Sequence, residues 1–172
     1  YCEEYKLPMN KKIKEFSTGM KRKLQIFAAI THKAKLLLLD EPTSGLDVVA
    51  REQMLTLLRE YMETEGRAIL ISSHLSGDLE TFCDDIYLIQ KGTITFHEEM
   101  DRLLDAYGLL KVSDEVYKKM DKSHIICRKK ENFGWSCLTD QKAYYQMHNP
   151  EIVIEKGSVD ELILLMAGGE RI

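Results

Sequence analysis

The chain has 172 residues and a formal net charge of −4, with 30% charged and 44% hydrophobic residues. That length holds one domain with a sizeable core, or a partial domain joined to a small module. The mildly acidic balance offers no broad attraction to nucleic acid or anionic lipid, and no apolar run approaches the roughly 20 residues of a membrane-spanning helix.

In chain order, residues 1–15 are polar, rich in Lys and Glu and broken by Pro8, and lead into Phe16-Ser17-Thr18-Gly19-Met20. From Thr18 to about His32, Met20, Leu24, Phe27, Ala28 and Ile30 approximate a helical stripe, which predicts a helix with Ser17 near its N-cap. Lys35 to Leu39 predicts a short strand of a parallel sheet covered on both faces, ending in Asp40-Glu41-Pro42. Val48 to Thr64 places Ala50, Met54, Leu57, Leu58 and Tyr61 at helical spacing, with Arg51, Glu52, Arg59 and Glu63 outside. Gly66 stops that helix, and Ala68 to Ser72 is the next strand, followed by Ser73-His74. A strand–helix–strand order argues for a parallel α/β sheet. A helix over 76–83, a hairpin of Ile86–Gln90 and Thr93–Phe96 about Lys91-Gly92, and a helix near Glu98 to Tyr107 complete this part.

Past Gly108 the texture changes. Strands at Leu109–Ser113, His124–Lys129, Gly134–Leu138 and Glu151–Glu155 alternate with helices at Asp114–Met120 and Asp140–Met147. This β-α-β-β-α-β order permits a small ferredoxin-like unit, and a last helix spans Val159 to Met166. The expected division is therefore 1–107 and 108–172, the second part a small α+β accessory module. Four cysteines, Cys2, Cys83, Cys127 and Cys137, form no CxxC pair or metal spacing, as expected of reduced cytosolic thiols, although Cys127 and Cys137 could face each other across a hairpin.

Asp40 and Glu41 end one predicted strand and His74 follows the next, so all three converge on the ligand-binding edge if the strands are parallel. Adjacent residues leaving a strand point in different directions. Asp40 can then serve the hydration shell of a hard cation while Glu41 faces an attacking water, the needs of phosphoryl transfer. The simpler alternative is that Asp-Glu-Pro starts a turn and His74 caps a helix. Ser17 and Gly19 open a helix, whose unpaired N–H groups and dipole favour an anion; Asp47 in Ser44-Gly45-Leu46-Asp47 is a candidate N-cap. Lys21, Arg22 and Lys23 read as a solvated helix face, the alternative being a secondary phosphate or lipid-headgroup contact. His32, His97, His124 and His148 show no ligand spacing, and Trp135, Tyr144 and Tyr145 read as packing residues.

In this order and spacing, FSTGM at 16–20, LLLLDEP at 36–42, SGLD at 44–47 and ISSH at 71–74 resemble the second half of an ATP-binding cassette (ABC) ATPase, strongly over residues 14–100. The resemblance implies a partial P-loop NTPase α/β fold that binds ATP with Mg²⁺. It implies that Asp40 is the Walker B aspartate at the metal, Glu41 the catalytic base and His74 the switch histidine. Ser17 and Gly19 would contact ATP held by an opposite subunit, and Asp47 would sit in the loop that crosses the dimer interface. Thr18 and Met20 depart from the usual LSGGQ, so no glutamine contact carries over. No GxxxxGK(S/T) occurs, and no glycine here is followed by lysine. With Tyr1 in place of an initiating methionine, this gives the expectation of a piece of a longer protein, without ATPase activity of its own.

The expected parent is the ATP-hydrolysing subunit of an ABC transporter. It would dimerise head to tail, power export through a separate permease and lie peripherally on the inner face of the cell membrane. The alternatives are a non-transport ABC ATPase of translation or DNA maintenance, and a truncated regulatory cassette.

Overall fold

Helix α1 (Thr18–Thr31) begins where the sequence supplies a cap: the Ser17 hydroxyl accepts from the Met20 N–H at 3.2 Å. It buries Ile26, Phe27 and Ile30, and the rings of Tyr1 and Tyr5 pack on Phe27 at centroid distances of 5.6 and 5.1 Å. Strand β1 (Leu36–Asp40) follows. Helix α2 (Val48–Met62) starts on a second side-chain cap, Asp47 accepting from the Ala50 N–H at 2.9 Å. Its buried face carries the predicted stripe of Ala50, Met54, Leu57, Leu58 and Tyr61, and Leu55 besides. Tyr61 reaches past the helix to donate its hydroxyl to the Ala34 carbonyl. Strand β2 (Ala68–Ser72) pairs with β1 in parallel, Leu36 with Ala68 through to Asp40 with Ser72.

The computed structural model describes residues 1–5 and 7–172. Its contacts form two units, Tyr1–Asp78 and Leu79–Ile172, divided within α3 (Ser76–Phe82). In the first unit, the expectation of a strand covered on both faces is corrected. Leu37 is buried, but Leu36, Leu38 and Leu70 are 54%, 69% and 61% exposed. Alternation along each strand sends these three to the side where the described residues of this unit supply no second layer.

In the second unit, β3 (Asp85–Gln90) and β4 (Thr93–Glu99) form the expected hairpin. Its turn residues Lys91 and Gly92 both have positive φ, 49° and 77°, which suits the twist of a two-residue hairpin loop. Helix α4 (Met100–Ala106) follows. A five-stranded antiparallel sheet then runs β8-β5-β7-β6-β9, from β5 (Gly108–Val112), β6 (Ile125–Glu131), β7 (Gly134–Thr139), β8 (Val153–Glu155) and β9 (Glu170–Arg171). Between these strands lie α5 (Asp114–Lys119), α6 (Lys142–His148) and α7 (Val159–Gly168). Strands β5, β6, β7 and β8 with α5 and α6 have the ferredoxin-like order expected from the sequence. The strand β9 was not expected.

Strand alternation divides the core of this unit in two. Leu110, Val112 and Cys137 pack with Tyr117, Met120 and Tyr145 on one face. Leu109, Cys127 and Leu138 pack with Val159, Leu162 and Leu165 of α7 and with Met100 and Leu103 of α4 on the other. Cys127 and Cys137 are free and buried. They are not cross-strand partners, because a shift of register between Ile125 and Cys127 sets Cys127 opposite Leu138 and Arg128 opposite Cys137.

Candidate functional site

The parallel pairing of β1 and β2 delivers the C-terminal ends of both strands to one edge of the sheet. Asp40 and Ser72 are direct register partners there, and the Ser72 hydroxyl donates to Asp40 Oδ1 at 2.5 Å. Its oxygen also accepts the Glu41 N–H at 3.1 Å, and the Ser72 carbonyl shares that donor at 3.1 Å. Glu41 has φ of 47°, a left-handed conformation that is uncommon for a residue with a side chain and recurs at functional sites. It turns the chain away from the strand line, so that Glu41 Oε2 lies 2.6 Å from His74 Nδ1. Asp40, Glu41 and His74 are thus brought together, and the first two carboxylates do face different neighbours.

Ser17, Gly19 and Asp47 form a second group. With Lys23, Gly45 and Gln53 they line an open cleft of about 630 Å³. Gly19 has a packing reason to be glycine: a Cβ there would lie 3.2 Å from Leu46 Cδ2. The helix that Ser17 opens therefore lies against the 44–47 turn, and two helix N-termini, those of α1 and α2, share one cleft. Arg22 of the basic run bridges the groups: its Nη1 donates to the Asp40 carbonyl at 3.5 Å.

The donor set fits a magnesium nucleotide. Among the described residues, no group of three or more His, Cys, Asp or Glu is placed to hold a metal ion, and a small hard cation of this kind is ordinarily held by one or two carboxylates, water and phosphate oxygens. Asp40, exposed and with one oxygen held by Ser72, is suited to that single role. The exposed Ser17 hydroxyl and the unpaired N–H groups of the first turn of α1 suit a phosphate. Ser72 was missed by sequence reasoning; its signal, a hydroxyl in direct parallel register with an acidic strand end, exists only once the pairing is known.

Comparisons with known proteins bear on the family and the fold. Residues 11–77 match the family described as "AAA domain, putative AbiEii toxin, Type IV TA system". The chain is 45% identical over 83 residues to the uncharacterized ABC transporter ATP-binding protein YdbJ of Bacillus subtilis (strain 168), a stretch covering 48% of this chain and 27% of that protein. It is 38% identical over 89 residues to the lantibiotic transport ATP-binding protein SrtF of Streptococcus pyogenes, covering 52% of this chain and 38% of that protein. Among solved structures, the ATP-binding subunit of an ABC transporter superposes with a TM-score of 0.54 and 29% identity, over 59% of this chain and 43% of the other. The chain thus spans well under two thirds of the length of these relatives.

Proposed function

Because the homologues of this chain are ABC transporter ATP-binding proteins and its fold matches ABC ATPase domains, we propose that it is part of the ATP-hydrolysing subunit of an ABC transporter. The observation that carries this reading is the Asp40–Ser72–Glu41–His74 cluster at one sheet edge, beside a cleft that holds Ser17, Gly19 and Asp47. Magnesium-bound ATP, when present, would supply an activated phosphoanhydride there. With that group bound, Asp40 would hold the metal's hydration shell, Glu41 would take the proton of the attacking water, and His74, whose Nδ1 lies 2.6 Å from Glu41 Oε2, would hold Glu41 in place beside the terminal phosphate.

Ser17 and the first turn of α1 bind phosphate that belongs to a second subunit, with Asp47 at the crossing point. That arrangement gives a head-to-tail dimer with two shared sites. The open Leu36–Leu38–Leu70 face is costly to leave in water, and in a complete parallel sheet such a face is covered by helices. Residues 1–107 then complete the ATPase portion and 108–172 form an accessory module. On this reading the 172-residue chain hydrolyses no ATP alone. SrtF is described by lantibiotic transport; an export role through a separate permease, at the inner face of the cell membrane, is the matching assignment here.

The test is Ser17→Arg in the complete polypeptide. Mixed with wild-type subunits, the variant should bind ATP at its own site and silence the site it completes on its partner. Unchanged hydrolysis by a pure Ser17→Arg dimer would remove the assignment.

A further inference from the structure

Thr43 and Asp78 take no part in the chemistry above, yet both are buried polar side chains of the first unit. Thr43 Oγ1 donates to Asp78 Oδ2 at 2.7 Å, with the two residues only 1% and 6% exposed. The other carboxylate oxygen faces Arg51 Nη1 at 3.9 Å. The Arg51 Nε–H is buried and makes no hydrogen bond among the described residues. A buried donor without a partner is unfavourable, and the Asp78 carboxylate offsets it.

Their positions in the chain give this contact its meaning. Thr43 and Arg51 flank the 44–47 turn, whose Leu46 N–H donates back to the Thr43 carbonyl at 3.2 Å. Asp78 follows His74 by four residues, in the first turn of α3. The link between them is tight: the Leu75 N–H donates to Ser73 Oγ at 3.0 Å, and the Asp78 N–H to the Leu75 carbonyl at 3.1 Å. We infer that Asp78 is a positioning residue: by gripping Thr43 and Arg51 it holds the 44–47 turn in fixed register with the turn that carries His74. A movement imposed on Asp47 by a docked partner is then felt at His74, and a movement of His74 is felt at the dimer surface. The catalytic consequence rests on the proposed function; the mechanical link does not.

The experiment uses the complete polypeptide carrying this sequence, with Thr43→Val and, as a second variant that keeps the volume of the carboxylate, Asp78→Asn. Residue-resolved amide exchange should show the Leu46 and Asp78 amides opening at least about tenfold more readily in both variants, with Met54 and Leu58 of α2 unchanged. ATP turnover should fall about tenfold in kcat with KM for ATP held within about twofold, the pattern of a loss felt in the transition state. Thr43→Ser, which keeps the hydroxyl, should restore both.

Faster exchange at Leu46 without any change at Asp78 would show that the two turns are not linked, and would overturn the inference. So would a uniform loss of protection that includes Met54 and Leu58, which marks a purely structural contact. If the wild-type polypeptide hydrolyses no ATP, the proposed function fails, and the exchange pattern alone decides the link.

Discussion

Ser72→Ala separates a site role from a folding role with a single hydroxyl. The deletion removes the 2.5 Å bond to Asp40 Oδ1 and one of two acceptors of the Glu41 N–H. That amide keeps the Ser72 carbonyl at 3.1 Å, so no donor is orphaned and folding should lose under about 1 kcal/mol. Asp40 loses more. A hydrogen bond to a charged group is worth roughly 1.5–3 kcal/mol, and solvent around this exposed carboxylate reduces it to about 1.4, or a factor of about ten in an equilibrium constant. The assay is a Mg²⁺ titration of ATP hydrolysis by the complete protein, with the half-saturating concentration expected to rise about tenfold. Thermal unfolding should move by only a few degrees, and Ser72→Thr should behave as wild type. An unchanged Mg²⁺ dependence in Ser72→Ala would refute the argument that this hydroxyl orients Asp40.

Gly134→Ala should destabilise the Leu79–Ile172 unit severely. Gly134 has φ of 144°, and a Cβ would come within 2.1 Å of the Val112 carbonyl oxygen and 2.8 Å of Ser113 Cα. The strain is worth about 3 kcal/mol or more, which in a unit of this size lowers the melting midpoint by at least about 10 °C; a drop under about 3 °C would contradict the geometry. The same unit should weaken in alkali. Burial pushes the Cys127 thiol from 9.0 up to about 11 and the Cys137 thiol up to about 12. Since both folded values lie above the ordinary one, their contribution is complete below pH 9 and is lost as pH rises toward 11 and 12. By pH 10.5 the loss is on the order of 2 kcal/mol per thiol. Urea midpoints from pH 8 to 10.5 should therefore fall more steeply in wild type than in a Cys127→Ala, Cys137→Ala double variant, and parallel slopes would contradict this.

What the sequence made legible is local chemistry and order of elements. Ser17 and Asp47 cap their helices because a short oxygen-bearing side chain before an apolar stripe has one favourable use. Positive φ at Lys91 and Gly92 follows from the spacing between two apolar runs. The ferredoxin-like order emerged because each crossover from one strand to a parallel one needs a helix, and the sequence places one helix in each gap. Long-range matters were not legible. A run of leucines looks the same whether one face or two are covered, so the exposure of Leu36, Leu38 and Leu70 was unforeseen. A bulge near Ile125 leaves no mark in composition, and it moves Cys127 away from Cys137. The pair Glu170–Arg171 forms a strand only because β6 is there to receive it. Ser72 and Asp78 were passed over for the same reason, their partners lying 32 and 35 residues away.

The central claim is that Glu41, held 2.6 Å from His74 at the end of β1, is the base of an ATP-hydrolysing site. The most direct measurement is single-turnover hydrolysis of ATP by the complete protein carrying Glu41→Gln, alongside nucleotide binding and dimer mass. The account predicts turnover reduced by at least about a hundredfold, with ATP still bound and the dimer accumulating. Hydrolysis at the wild-type rate would contradict it.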